Sequence, residues 1–225
     1  MKKFFISVLI LAVFGGIIFY LGWTQIKVKP GQFGVVISKT SGINEKPVIN
    51  GKYSWHWQFL LPTNAKIESF TIEPANLNKE ITGELPSGSV YSAVYNSSDN
   101  FSYKICYSIS LTVSPEAVIR LLKENKISDN QNLYEYLEKA GDVIAQSATD
   151  FILAKVQEKS NFRPESIRRE ELIKSIRFYK DFPDVDISAF AITSSSLPDY
   201  ALYKKIQEKV SRELELNSKS EEENL

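Results

Sequence analysis

The sequence predicts an α+β domain, its mainly antiparallel sheet packed by helices, carried behind an amino-terminal transmembrane helix. Three observations lead there. An uncharged apolar run opens the chain, strand-like segments of period two crowd the first half, and amphipathic helical segments fill most of the second. The element order is therefore strands, then helices, one late strand and one last helix. A doubly wound parallel sheet would instead alternate strand and helix throughout.

The first element is the apolar run. From Phe4 to Ile26 no residue is charged, and the stretch Phe4 to Trp23, wound as a helix, would rise about 30 Å, the thickness of a hydrocarbon core. Tyr20 and Trp23 stand near its far end, where amphipathic rings favour the headgroup layer, and Lys2, Lys3, Lys27 and Lys29 bracket it. A cleaved secretory signal would be shorter and followed by a small-residue cleavage site, which does not follow Trp23. Residues 1–25 are thus expected to be an uncleaved single-pass anchor. Positive charge lies on both sides of the run, so counting it does not orient the helix. The very short basic amino terminus resembles an export signal, which places the soluble domain on the non-cytoplasmic side.

In the soluble part, Pro30-Gly31 signals a turn and Phe33, Val35 and Ile37 alternate, predicting a half-buried strand within Ile26 to Ser38. After the turn signals Ser41-Gly42 and Asn50-Gly51, Tyr53, Trp55, Trp57 and Phe59 alternate again, and Ile67 to Ile72 is strand-prone. The clearest strand is Phe101 to Val113. Apolar residues hold every odd position there, against Ser102, Lys104, Cys106, Ser108, Ser110 and Thr112 on the other face. Ser114 as cap and Pro115 at the first helical position turn that strand into a helix through Lys123. Leu133, Leu137, Ala140, Ile144, Ala148, Phe151 and Lys155 mark one long amphipathic helix from Leu133 to Glu158. Pro164 opens a helical stretch to about Tyr179, Val185 to Ile192 reads as the late strand, and Leu197-Pro198 introduces the last helix, residues 197–217. Residues 218–225, rich in serine and glutamate, are expected to be a disordered acidic tail.

Composition narrows the function. Lys plus Arg and Asp plus Glu are equal at 27 each, so nothing suggests a nucleic-acid partner. One cysteine, Cys106, excludes an intrachain disulfide and a cysteine-cluster metal site. No zinc-protease helix, phosphate-binding glycine loop, dinucleotide fingerprint or nucleophile elbow is present, and His56 is the single histidine. Lacking partners for catalysis or metal binding, His56 reads as structural, and Glu170 and Glu171 beside Arg168 and Arg169 read as a solvated helix face. No enzyme, cofactor or metal is expected. Asn96 and Asn100 fit the glycosylation triplet, to which no role is given.

Two constellations remain. The aromatic segment after Gly51 divides between core packing and contact with lipid headgroups, and Tyr20, Trp23, Trp55, Trp57, Phe59 and Leu60 are the candidate membrane-interface residues. On the last helix Leu202, Ile206, Val210 and Leu214 form a narrow stripe, the candidate self-association surface, which would equally dock onto its own domain.

The order of motifs resembles the band 7 or SPFH family, which includes stomatin, prohibitin, flotillin and bacterial modulators of a membrane-bound protease. Residues 28–36, VKPGQFGVV, resemble the family's opening strand, and residues 51–69, GKYSWHWQFLLPTNAKIES, its glycine, aromatic strand, proline and following strand. The strand ending at Thr112 to Pro115 resembles the family's central strand entering its first helix, and Leu197-Pro198 its leucine-proline step. The family's glycine before the late strand is absent from Asp181 to Asp184, and so is its long carboxy-terminal coiled coil. The resemblance implies an SPFH-like domain over 26–196 and a membrane-anchored scaffold that forms homo-oligomers. It also implies that the scaffold organises or regulates partners in the bilayer, among them a membrane protease. The competing expectation is an exported, membrane-tethered module binding a solute or peptide in a concave apolar pocket.

Overall fold

A computed structural model describes residues 2–24, 27–94, 101–158, 162–167, 169–175 and 181–223. They form an α+β structure with antiparallel sheets behind an apolar amino-terminal helix, α1 (Lys2–Gly22). The chain divides into two compact units, the first Met1–Ala75, Leu111–Lys139 and Asp184–Asp186, the second Asn76–Ser110, Ala140–Pro183 and Ile187–Leu225. Residues 26–196 are thus shared between two units.

The first unit is built on β1 (Gln32–Ser38). Gly31, with φ of +76°, turns the chain after Pro30, and its carbonyl accepts from the Ile72 amide at 3.0 Å. β4 (Ala65–Thr71) then pairs antiparallel along the whole of β1, from Gln32 opposite Thr71 to Ser38 opposite Ala65. The short strands β2 (Gly42–Ile43) and β3 (Val48–Ile49) take the other edge of β1. The expected alternation in β1 does not hold. Phe33 and Val35 are buried and Ile37 only half so, while Gly34 and Val36 are buried as well. Both faces are covered: Val36 packs with Val28 and Val48 under Phe59, Ala65 and Ile67, and Phe33 stacks on Phe70 across the pair. A side chain at Gly34 would meet Ile67 Cγ2 at 2.6 Å and Val28 Cγ2 at 2.8 Å.

The strand expected over Tyr53 to Phe59 is replaced by a single bridge between Trp55 and Trp23 and a 3-10 turn over Trp57–Leu60. Its physical cause lies downstream, where Pro62 has no amide to offer a ladder. The Asn64 amide side chain, donating to Gln58 O at 3.2 Å, closes the segment into a turn that leads into β4.

As expected, the Ser114 hydroxyl accepts from the Ala117 amide at 3.2 Å and Pro115 opens α3 (Pro115–Lys123). This helix buries Ala117, Val118, Ile119, Leu121 and Leu122.

The second unit holds a three-stranded sheet in the order β5 (Ala75–Glu84), β6 (Ser102–Thr112), β7 (Asp186–Ser196). Ser110 meets Asn76 at one end and Phe101 meets Leu85 at the other, so β5 and β6 run antiparallel. Ile105, Tyr107 and Ile109 are buried and the intervening residues half-buried, the one-sided pattern expected of β6. β5 was not expected. Its burial alternates, but Lys79 and Gly83 occupy inward positions and obscure the period, Lys79 reaching Asp142 at 2.7 Å. The short helix α2 (Gly88–Val94) was also unanticipated.

α4 (Asn130–Glu158) follows the expected stripe through Ala148 and then departs from it. Ile152 and Val156 are buried, while Phe151 and Lys155 are half-buried and pair by cation–π contact. The drift follows from 3.6 residues per turn. Thr149, fully buried, donates to Ala145 O at 2.9 Å and meets the Tyr107 hydroxyl at 2.7 Å. After a 3-10 turn at Pro164–Ser166, α5 spans Arg169–Ser175, and the expected extension to Tyr179 lies outside the described residues. The glycosylation triplets at Asn96 and Asn100 begin outside them too.

α6 (Tyr200–Glu223) starts where expected, with the Asp199 carboxylate accepting from the Leu202 amide at 2.9 Å. It continues through 218–223, where a disordered tail was expected. Lysine and glutamate extend an existing helix at little cost, since nucleation is already met.

Candidate membrane-interface site

Among the described residues α1 is the helix long and apolar enough to cross a membrane, and none of its most apolar stretch is buried. The first unit takes hold of its carboxy-terminal turn. A helix end leaves carbonyls without partners, and here protein groups supply them. The Trp55 indole Nε1–H donates to Phe19 O at 3.2 Å, the His56 amide to Gly22 O at 2.9 Å, and the Trp23 amide to Tyr20 O at 3.2 Å. Thr24, fully buried, donates through both its amide and its hydroxyl to Ser54 O, each at 3.0 Å. Gly22 is required by contact: an added Cβ would lie 2.8 Å from Trp55 Cδ1, with other atoms of that indole nearer still. The Phe19 ring stacks on Tyr53 with centroids 6.1 Å apart and meets Trp23 at 5.4 Å.

His56 fixes the loop from behind. Asn44 Oδ1 accepts from the Lys46 amide at 2.9 Å, which turns the Asn44 amide nitrogen toward His56 Nδ1, 3.2 Å away. Nδ1 is therefore the acceptor, and a neutral ring donates from Nε2 to Ser54 Oγ at 2.9 Å. Burial lowers the pKa of His56, in keeping with that neutral form. Among the described residues no group of three or more His, Cys, Asp or Glu side chains is gathered as a metal site. Cys106 is a free, half-buried thiol near Glu80.

The candidate interface residues separate into two sets. Tyr20, Trp55 and Trp57 are exposed, at 63%, 36% and 48%. Trp23, Phe59 and Leu60 are half-buried: the Trp23 indole nitrogen is closed off from solvent, and Phe59 packs on the Val28, Val36 and Val48 cluster beneath the Lys27 ammonium, 4.0 Å from its ring centre. Two further members of the aromatic segment, which divides between core and headgroup contact, are exposed as well, Tyr53 at 63% and Leu61 at 45%. The sequence alone does not mark Gly22, Thr24 or Ser54. The only signal was a glycine immediately before a tryptophan at the end of the apolar run.

The other candidate set lies on α6 in the second unit. Ile206 is buried with Leu85, Phe101 and Tyr203, and Val210 packs against that cluster. The Tyr203 hydroxyl donates to Pro86 O at 2.6 Å. Leu202 and Leu214 are exposed, at 37% and 64%, so the expected stripe is half consumed within its own unit.

The architecture defines an α+β chain whose apolar amino-terminal helix is closed at its end by the Trp55 indole and the backbone of the aromatic loop. No protein-family profile matches the chain. It is similar to an uncharacterized protein of Treponema pallidum (strain Nichols), with 22% identity over 187 residues, 81% of this chain and 62% of that relative. The chain therefore spans less than two thirds of the length of this relative.

Proposed function

We propose that this chain is a single-pass membrane scaffold of the band 7 or SPFH kind, its soluble units held on the non-cytoplasmic side of the bilayer. In this reading it associates with copies of itself and organises or restrains a membrane partner, of which a membrane-bound protease is the expected class. The observation that carries the reading is the joint between α1 and the first unit. The last turn of an unburied apolar helix is bonded by the aromatic loop of the first unit, which suits a domain positioned at a bilayer and not merely tethered to it. The motif order around β1, the aromatic loop, β6 with α3, and the Leu197-Pro198 step supports the family resemblance. Tethering also concentrates the chain laterally, which favours self-association without new contacts. Leu202 and Leu214 are the residues of the expected α6 stripe that remain exposed for that purpose.

Cross-linking in native membranes is expected to trap homo-oligomers, and a strictly monomeric chain would count against the scaffold. Protease added to the outside of intact spheroplasts is expected to digest the soluble units; digestion only after lysis would reverse the orientation.

A further inference from the structure

We propose that Tyr53, Trp55, Trp57 and Leu61 form a shelf that lies in the phospholipid headgroup layer of the leaflet from which α1 emerges. The proposal rests on the reading of α1 as a membrane span and adds a second, separate contact with the lipid. All four side chains are exposed although none is charged. In water such a patch is unfavourable, because uncovered apolar surface is costly to hydrate. Its two indoles and one phenol have an apolar body and a polar tip, which favour the boundary between hydrocarbon and water, and Leu61 adds purely apolar surface.

Position identifies the occupant. The shelf is continuous with the last turn of α1, because the Trp55 ring rests on Gly22 and bonds to Phe19 O, while Tyr53 stacks on Phe19. If the apolar surface of α1 is in lipid, its final turn is at the headgroups, and the shelf beside that turn is at the same depth. Lys27, over the Phe59 ring, and Lys52, next to Tyr53 in the chain, are both exposed cations suited to phosphate. Phe59 and Leu60 do not belong to the shelf, since both are half-buried and Phe59 is committed to the core.

The test uses the full chain in phosphatidylcholine vesicles carrying bromine either near the glycerol or near the acyl end. The emission lost in W57F reports Trp57 while leaving the Trp55 contact intact. That emission is expected to fall by roughly half with shallow bromine and much less with deep bromine, as for an interfacial indole. G22L, which displaces the Trp55 ring, is expected to abolish the quenching of Trp57. The exposed-site variant Y53S/L61S, in which no core residue is changed, is expected to weaken it. Vesicle flotation after alkaline washing reports α1 independently. Loss of flotation overturns the span, whereas flotation with Trp57 unquenched overturns the shelf alone. Shielding of Trp57 from both bromolipid and aqueous acrylamide also overturns it, in favour of a second protein surface. Unchanged quenching in G22L overturns the role given to the Gly22 contact.

Discussion

β1 and β6 are each the middle strand of a sheet, yet they are buried in opposite ways. β1 is covered on both faces, so that neighbours such as Val35 and Val36 are 0% and 1% exposed. β6 is covered on one, with Ile109 at 0% beside a half-buried Ser108. A two-faced strand tolerates no polar replacement anywhere along its middle, whereas a one-faced strand tolerates it at every second position.

The largest effect that separates them comes from aspartate substitution. Ile109→Asp is expected to cost about 4 kcal/mol or more and Ser108→Asp, at a half-buried position, about 1 kcal/mol, read by urea unfolding in micelles. Val35→Asp and Val36→Asp are expected to be equally severe. If one of that pair were tolerated, the two-faced reading of β1 would fail.

Next in size is a difference in pH response. Burial pushes the Tyr107 phenol up to about 12 from an ordinary 10.0, against the opposing bond from Thr149. The neutral form is the one the fold favours, so its contribution is fully present below pH 10 and is lost as pH rises from there through about 12. The loss amounts to roughly 2–3 kcal/mol. His56 in the first unit has the opposite sense. Its pKa is lowered from 6.5 by burial, so the stability held by its neutral form is present above 6.5 and lost as pH falls below it. Hydrogen exchange should therefore show β6 opening in alkali and the Ser54 to His56 segment opening in acid. Y107F should remove the alkaline arm only.

Smaller again is Gly34→Val, which would force Ile67 and Val28 apart in β1 at a cost of about 1–3 kcal/mol by chemical denaturation. Gly83→Ala in β5 meets the outer end of the half-buried Tyr103 side chain, its hydroxyl with Cζ and Cε1, which must shift, and is expected to cost about 1 kcal/mol. Smallest of all, Lys104→Ala removes an exposed pair with Glu80 on the outer face of β6, and no measurable change in melting temperature is expected.

The same contrast explains what could be read in the sequence. β6 was legible because one covered face imposes period two, and Ser114-Pro115 was legible because capping is local. β1 was legible as a strand but not in its burial, since long-range cover by Val28, Val48 and Phe59 decides its second face. β5 was hidden because Lys79 can point inward and still deliver its charge to Asp142. The aromatic loop imitated a strand. Its tryptophans alternate in sequence, but their backbone serves the end of α1 and then a turn. The aromatic segment from Tyr53 to Leu61 was legible as a candidate because Trp favours the interface and the segment was expected beside the anchor. Which of its members face outward needed their exposure, and Gly22 needed the indole resting on it.

The closed end of α1 has a mechanical consequence. Membranes differ in hydrocarbon thickness by a few Å, and a spanning helix meets such mismatch by tilting, by kinking or by local adjustment of the bilayer. Here Phe19, Tyr20 and Gly22 carbonyls are held by Trp55, Trp23 and His56, so that distorting the last turn would break three hydrogen bonds. For a membrane-spanning α1 this favours tilt as one rigid piece, and tilt carries Trp55 and the loop around it along. Bilayer thickness then becomes a quantity that the first unit registers as an angle.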